Sequence, residues 1–283
     1  MQNLIDYLTT PHIDGHIHLF SDRRDDQGNL IILPTNLIPV QFVGFPDIEF
    51  DHECKTILPQ YEEFLYRYER VCRARLPRLL ATSRNYDEIP LICEKYCAEI
   101  MGIGELKMYN TYNGQHIGRH DLSQLDDLMV WNNGKYPVYI HYDIVSHSDI
   151  RSFEKFTEIN SNTNIVLCHC GISNDVSNVN TALSVIPIWL RQYNNLYVDL
   201  TWEAAQYFSR CPNRVKELPS NKLILGSDMS PRSVYCANPE VSPSVDQIKY
   251  IVKLLAPYVS ASDENVYRLF RDNIGYDSTL MKF

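Results

Sequence analysis

Pro137-Val-Tyr-Ile-His-Tyr-Asp143 and Asn164-Ile-Val-Leu-Cys-His-Cys-Gly171 are built alike: a short apolar stretch rich in β-branched or aromatic residues runs directly into a histidine. A strand buried on both faces reads as a continuous apolar run of this kind, whereas a strand with one wet face alternates. Working outward, the two runs at 137–142 and 164–170 belong to a series with others at 13–20, 37–45, 77–82, 102–109, 196–201 and 222–227. Their starts lie about 25 to 40 residues apart, room for one strand, one loop and one returning helix. Helical periodicity fills the gaps at 60–74, 89–100, 121–132, 149–159 and 181–193, and continues at 244–255 and 262–271 after the last run. Asp121 can cap its helix with Gln124 three places on as a capping-box partner, and Asn132-Asn133-Gly134 is a natural stop. The charged stretch 22–29 reads as a loop after the first strand. Eight strand-helix units predict an α/β fold, a (β/α)8 TIM barrel formed as a single domain over 1–283, with 262–271 as an extra C-terminal helix packed outside it.

The composition agrees with that architecture. The chain has 283 residues, and barrels of this type commonly need about 250. It is 45% hydrophobic and 22% charged, ample for a core and unlike a disordered chain. Lys+Arg 26 against Asp+Glu 35 leaves a formal charge of -9, which repels nucleic-acid backbones and disfavours a general nucleic-acid binder. No stretch approaches the roughly 20 apolar residues of a membrane span, and the N-terminus lacks a basic-then-apolar leader. These features predict a soluble, cytoplasmic protein, with an oligomer possible. The eight cysteines are scattered. Cys168 and Cys170 bracket a histidine instead of forming a CxxC knuckle, so reduced, buried thiols are expected.

The ionisable residues that end the apolar runs are the candidates for chemistry. His16 and His18 lie two apart in Ile13-Asp-Gly-His-Ile-His-Leu19, so on a strand both imidazoles project from one face. Glu105 follows Met101-Gly-Ile-Gly104, where glycine permits close approach to the backbone. His141, His169 and Asp228 end the fifth, sixth and eighth runs. Any one of these could serve a loop hydrogen bond. Six at the ends of five strands, on the rim where barrel enzymes assemble their sites, form a metal-competent set. His52, His116, His120 and His147 lie in polar stretches and read as surface residues, while His12 and Asp14 read as structural residues at the bottom of the first strand. Arg23, Arg24, Lys107, Tyr109, Asp143, Trp202 and Arg232 sit on or just beyond the same rim. Of these Lys107, Arg232 and Trp202 are the candidates for binding substrate, the two cations through an anionic group.

The order of these motifs, HxH on the first strand, Glu on the fourth, His on the fifth and sixth and Asp on the eighth, resembles the amidohydrolase superfamily. Asn195-Leu-Tyr-Val-Asp-Leu-Thr-Trp202, Leu225-Gly-Ser-Asp228 and Val266-Tyr-Arg-Leu-Phe-Arg-Asp-Asn-Ile274 look like the amidohydrolase-related branch, and the Gly-Glu motif also looks like TatD-type hydrolases. The resemblance implies that His16, His18 and Asp228 hold one divalent metal, that His141 and His169 hold a second, and that Glu105 bridges them. Zinc is favoured, with manganese or magnesium as alternatives. Lys107 is an alternative bridge, as a carboxylated lysine, and a one-metal site that leaves His169 as a free acid or base also fits. Asp228 is implied as the group that takes a proton from water and returns it to the leaving group. The implied activity is hydrolysis of an ester, amide or phosphoester in a small molecule; a non-oxidative decarboxylase, a TatD-like nuclease and a catalytically silent barrel are the alternatives.

Overall fold

The computed structural model describes residues 20–24, 30–32, 43–44, 78–82, 85–95, 97, 100–112, 115–172, 177–201, 204, 207–208, 210–226 and 256–271. Seven strands form one sheet: β3 (Val43–Gly44), β4 (Arg78–Ala81), β5 (Ile100–Lys107), β8 (Val138–His141), β9 (Ile165–Leu167), β10 (Leu196–Leu200) and β11 (Leu223–Leu225). Their order is β11-β10-β9-β8-β5-β4-β3, parallel at each pairing. These strands fall in the second to eighth apolar runs, taken in sequence order, so the architecture is the expected α/β (β/α)8 barrel. The first run lies outside the described residues except for Phe20, which opens β1 (Phe20–Arg24), antiparallel to β2 (Leu30–Ile32).

Helices α1 (Glu88–Lys95), α2 (Asp126–Asn132), α3 (His147–Ile159) and α4 (Val179–Gln192) return the chain between strands. α5 (Pro212–Val215) is a single turn before β11, and α6 (Val259–Arg271) follows the last strand. Alternate strand residues face two different cores. Ile103, Val138, Ile140, Ile165, Leu167, Val198 and Leu225 pack with helix residues such as Ile92, Met129, Phe153, Leu183 and Trp189. Leu80, Met101, Tyr139, Val166, Tyr197 and Ile224 form the second core, which takes nothing from α1 to α4. A parallel sheet buried on both faces requires these two apolar sets, which is why its strands do not alternate in hydropathy.

Three details differ from the sequence reading. Residues 109–119, for which the sequence reading places no strand beyond Tyr109, form a hairpin of β6 (Tyr109–Tyr112) and β7 (Gln115–Arg119), which places His116 in a strand. Asp121 does cap, but it caps the 3-10 turn Leu122–Leu125, accepting from the Ser123 N–H; the reciprocal capping box belongs to Ser146 and Asp149 at the start of α3. The Asn133 stop of α2 is present, in left-handed conformation. Finally, α6 lies along the edge of β11 that faces away from β10. Ser262 Oγ accepts from the Leu225 N–H at 2.7 Å, and Asn265 Nδ2 donates to the Leu223 carbonyl at 2.7 Å. Val266 and Leu269 thereby join the inner core rather than an outer layer. Backbone groups on a strand edge must find partners, and these two polar side chains supply them. Among the described residues no helix is long and apolar enough to cross a membrane.

Candidate metal centre

The inner face carries polar side chains where its strands end. Tyr139 is followed on the same face of β8 by His141, and Tyr197 on β10 by Asp199 and Thr201. Glu105 arrives differently. In the pairing of β5 with β8, Ile103 is opposite Val138 and Leu106 is opposite Ile140, so Gly104 and Glu105 together face Tyr139. That extra residue is a bulge, a device that re-aims a side chain at the end of a strand. Gly104 has φ +128°, and a Cβ there would lie 2.6 Å from the Tyr139 carbonyl oxygen, so glycine is required for the close approach that the sequence suggested. Thr82 Oγ1, beyond β4, donates to the Glu105 carbonyl at 3.0 Å and holds the bulge from the other side.

His169 needs a second irregularity. Val166 and Cys168 belong to the inner core, so plain alternation would point His169 outward. His169 and Cys170 instead take left-handed φ values of 54° and 55°, followed by Gly171 at 62°. Non-glycine residues in this region cost on the order of 1–3 kcal/mol each and persist where surrounding structure holds them. The holding groups are on β10: the His169 N–H donates to Asp199 Oδ1, and Cys170 Sγ donates to the Asp199 carbonyl. His169 Nδ1 also meets Thr201 Oγ1. The turn swings the imidazole into the same space as Glu105.

Three buried side chains meet there: Glu105, His141 and His169, exposed by 3%, 4% and 2%. Glu105 Oε1 lies 2.7 Å from His141 Nδ1 and 3.2 Å from His169 Nε2, and the two rings are 4.4 Å apart between centroids. One donor atom from each residue falls within 4.8 Å of the others, so the cluster could hold a metal ion. Around it, Tyr109 Oη is 3.1 Å from His141 Nδ1, Asp143 Oδ1 is 3.5 Å from His141 Nε2, and Lys107 Nζ is 4.0 Å from Glu105 Oε2. Lys107 therefore shares the face of Glu105, as expected for residues two apart. Burial and the neighbouring His169 push the His141 pKa down, but the charge of Glu105, with hydrogen bonds accepted by Asp143 and Glu105, outweighs them and leaves it raised. A buried carboxylate demands a positive partner. Two imidazoles and a carboxylate are also a donor set suited to zinc and its neighbours, so the residues present fit a divalent cation.

Of the site residues expected from sequence, the structure thus brings together Glu105, His141 and His169, with Lys107 and Tyr109 beside them. His16, His18, Trp202, Asp228 and Arg232 lie outside the described residues, and Arg23 and Arg24 fall in β1. Sequence reasoning missed Thr82, Asp199 and Thr201 as supports. The one available signal was an aspartate in the middle of an otherwise apolar run, Leu196-Tyr-Val-Asp-Leu200.

No protein-family model matches the sequence, and no curated protein matches it. Solved structures do share its fold. An amidohydrolase from Burkholderia multivorans with bound zinc is 13% identical, with 92% of this chain and 99% of that chain covered and a TM-score of 0.58. A TatD-family hydrolase from Entamoeba histolytica is 12% identical over 93% of this chain and 99% of its own, also with a TM-score of 0.58. A probable 2-pyrone-4,6-dicarboxylic acid hydrolase from Acinetobacter baumannii with citric acid bound is 14% identical over 93% and 100%, with a TM-score of 0.54.

Proposed function

We propose that this chain is a metal-dependent hydrolase of the amidohydrolase type, a single domain over 1–283 that cleaves an ester, amide or phosphoester bond in a small molecule. The observation that carries the reading is the convergence of Glu105, His141 and His169, from three strand ends, into one buried cluster. The shared fold of the amidohydrolase, TatD-family and pyrone-dicarboxylate structures supports it, and so does the zinc bound in the first of them. In this reading Glu105, shared between the two sides of the centre, would hold divalent metal together with His141 and His169 on one side and His16, His18 and Asp228 on the other. A bound divalent ion supplies Lewis acidity and lowers the pKa of water toward about 7. The protein's own groups do the rest. Asp228 accepts the proton of the attacking water and delivers it to the leaving group. Lys107, the cation beside Glu105, and Arg232 hold an anionic part of the substrate, and Trp202 covers or stacks on it.

Metal analysis of protein purified without chelator tests this directly. One or two equivalents of zinc, manganese or magnesium per chain are expected, falling by about one equivalent in His141→Ala and in His169→Ala. Hydrolysis is then sought on a panel of lactones, amides and phosphate esters, with aromatic carboxylates included to detect decarboxylation and DNA to detect a nuclease. A chain that binds no metal, or one whose metal is unaffected by these substitutions, overturns the proposal. Release of carbon dioxide would replace hydrolysis with decarboxylation.

A further inference from the structure

The side of His169 that faces away from Glu105 is occupied by Thr201. Thr201 ends the β10 run and is fully buried, and its hydroxyl meets His169 Nδ1 while Nε2 of the same ring faces Glu105 Oε1 at 3.2 Å. Asp199, two residues earlier on the same face of β10, accepts the backbone N–H of His169. One strand therefore grips His169 at two points, backbone and ring, across the left-handed turn of Cys168–Gly171. The backbone contact fixes the main chain of the turn, and the hydroxyl adds a hold on the ring at the nitrogen opposite the one that faces Glu105.

The chemistry of a hydroxyl adds to this. With the proton on Nε2, His169 donates to the Glu105 carboxylate and leaves Nδ1 as an acceptor to which Thr201 can donate. When Nε2 is needed as a ligand it must carry a lone pair, so the proton sits on Nδ1 and Thr201 must accept. A hydroxyl can do both by rotating its hydrogen, whereas an ionised carboxylate can only accept and an ammonium can only donate. We infer that Thr201 is a positioning residue for His169, holding the imidazole edge-on to Glu105 in either tautomer and so tuning the affinity of the cluster for a divalent cation. The part of this inference that concerns cation affinity rests on the proposed metal-dependent function; the part that concerns the ring does not.

The test uses the full chain and three proteins: wild type, Thr201→Val, which keeps the shape but loses the hydroxyl, and Thr201→Ser, which keeps the hydroxyl. In the metal-free proteins the ring nitrogens of His169 are observed by nitrogen NMR. Thr201→Val is expected to move the Nδ1 resonance to that of a nitrogen without a hydrogen bond, and Thr201→Ser to return it to the wild-type position. In the second measurement zinc is titrated into each protein against a competing chelator. Loss of a group that orients a ligand weakens binding by roughly 10- to 100-fold, so Thr201→Val should fall in that range and Thr201→Ser should stay within about threefold of wild type. Thermal unfolding of all three shows whether the valine variant is folded, and the serine variant decides the case if it is not. An Nδ1 resonance unmoved by Thr201→Val overturns the inference. So does a moved resonance with zinc affinity unchanged, or a serine variant as weak as the valine variant. If the wild type binds no zinc, the proposed function falls, while the metal-free resonance still decides whether Thr201 holds the ring.

Discussion

Gly104→Ala is the substitution whose cost can be worked out most directly. The new Cβ would lie 2.6 Å from the Tyr139 carbonyl oxygen and 2.7 Å from Tyr139 Cβ, and the residue would keep φ at +128°. Both neighbours belong to the main chain or the root of a side chain on β8, so neither can swing aside; the strands must separate or the bulge must rearrange. A side-chain-bearing residue forced into such a backbone region costs about 1–3 kcal/mol, and overpacking a tight contact costs typically 1–3 kcal/mol more. The variant should therefore lose about 2 to 6 kcal/mol, a large share of the roughly 5–15 kcal/mol that holds a domain folded. With a urea dependence of about 3 kcal/mol per molar, the unfolding midpoint should fall by roughly 0.7 to 2 M. Gly171→Ala is the internal comparison. It too has positive φ, at +62°, but its Cβ would meet side-chain atoms, Ile144 Cγ1 at 2.8 Å and Leu167 Cδ2 at 3.2 Å, with the Tyr142 carbonyl oxygen at an ordinary 3.4 Å. Its cost should be the left-handed penalty of about 1–2 kcal/mol plus a repacking cost smaller than that of the main-chain clash at Gly104. A Gly104→Ala midpoint within about 0.3 M of wild type, or a larger loss at Gly171 than at Gly104, would refute the account of the bulge.

Other outcomes follow from the caps and thiols. Asp121 has its pKa lowered from 3.8, chiefly by the Ser123 backbone hydrogen bond and then by the Ser123 side chain. Because the folded value lies below the unfolded one, its contribution is present above about pH 4 and is lost as the pH falls through the depressed value. Asp121→Ala should cost about 0.5–2 kcal/mol at pH 7, and the gap in melting temperature should narrow on acidification toward pH 3; a gap that widens there would reverse the assignment. Among the described cysteines, Cys97 is exposed while Cys93, Cys168 and Cys170 are buried. Burial pushes the Cys93 thiol up to about 12, and burial with the charge of Asp199 raises Cys170 well above the usual range. A thiol reagent followed by peptide mapping should label Cys97 in the native protein and reach the other three only after unfolding, since the thiolate is the reacting form. Prompt labelling of Cys170 in the folded chain would contradict its place beneath the His169 turn.

Much of this protein is legible along the chain. Parallel strands buried on both faces must be continuously apolar, so seven runs could be read as strands from hydropathy alone. The residues that end those runs could be read as site candidates because strand ends converge on one rim, and Glu105, His141 and His169 do meet there. The hairpin at 109–119 was not legible, because Tyr109-Asn-Thr-Tyr112 and Gln115-His-Ile-Gly-Arg119 lack an apolar alternation. Nor was the place of α6, whose polar Ser262 and Asn265 serve a strand edge that hydropathy does not reveal.

Local sequence, then, determined which residues are strand and which ionisable groups stand at strand ends, because burial on both faces constrains every position of a run. Only the tertiary structure decided where those groups point. Simple alternation misplaces His169, and only the left-handed turn, held by Asp199 on a strand thirty residues away, turns it inward. Likewise the bulge at Gly104 and Glu105 exists only in the pairing with β8, against Tyr139. Register and turn handedness are set by partners distant in sequence, and those partners are what make three separate strand ends into one cluster.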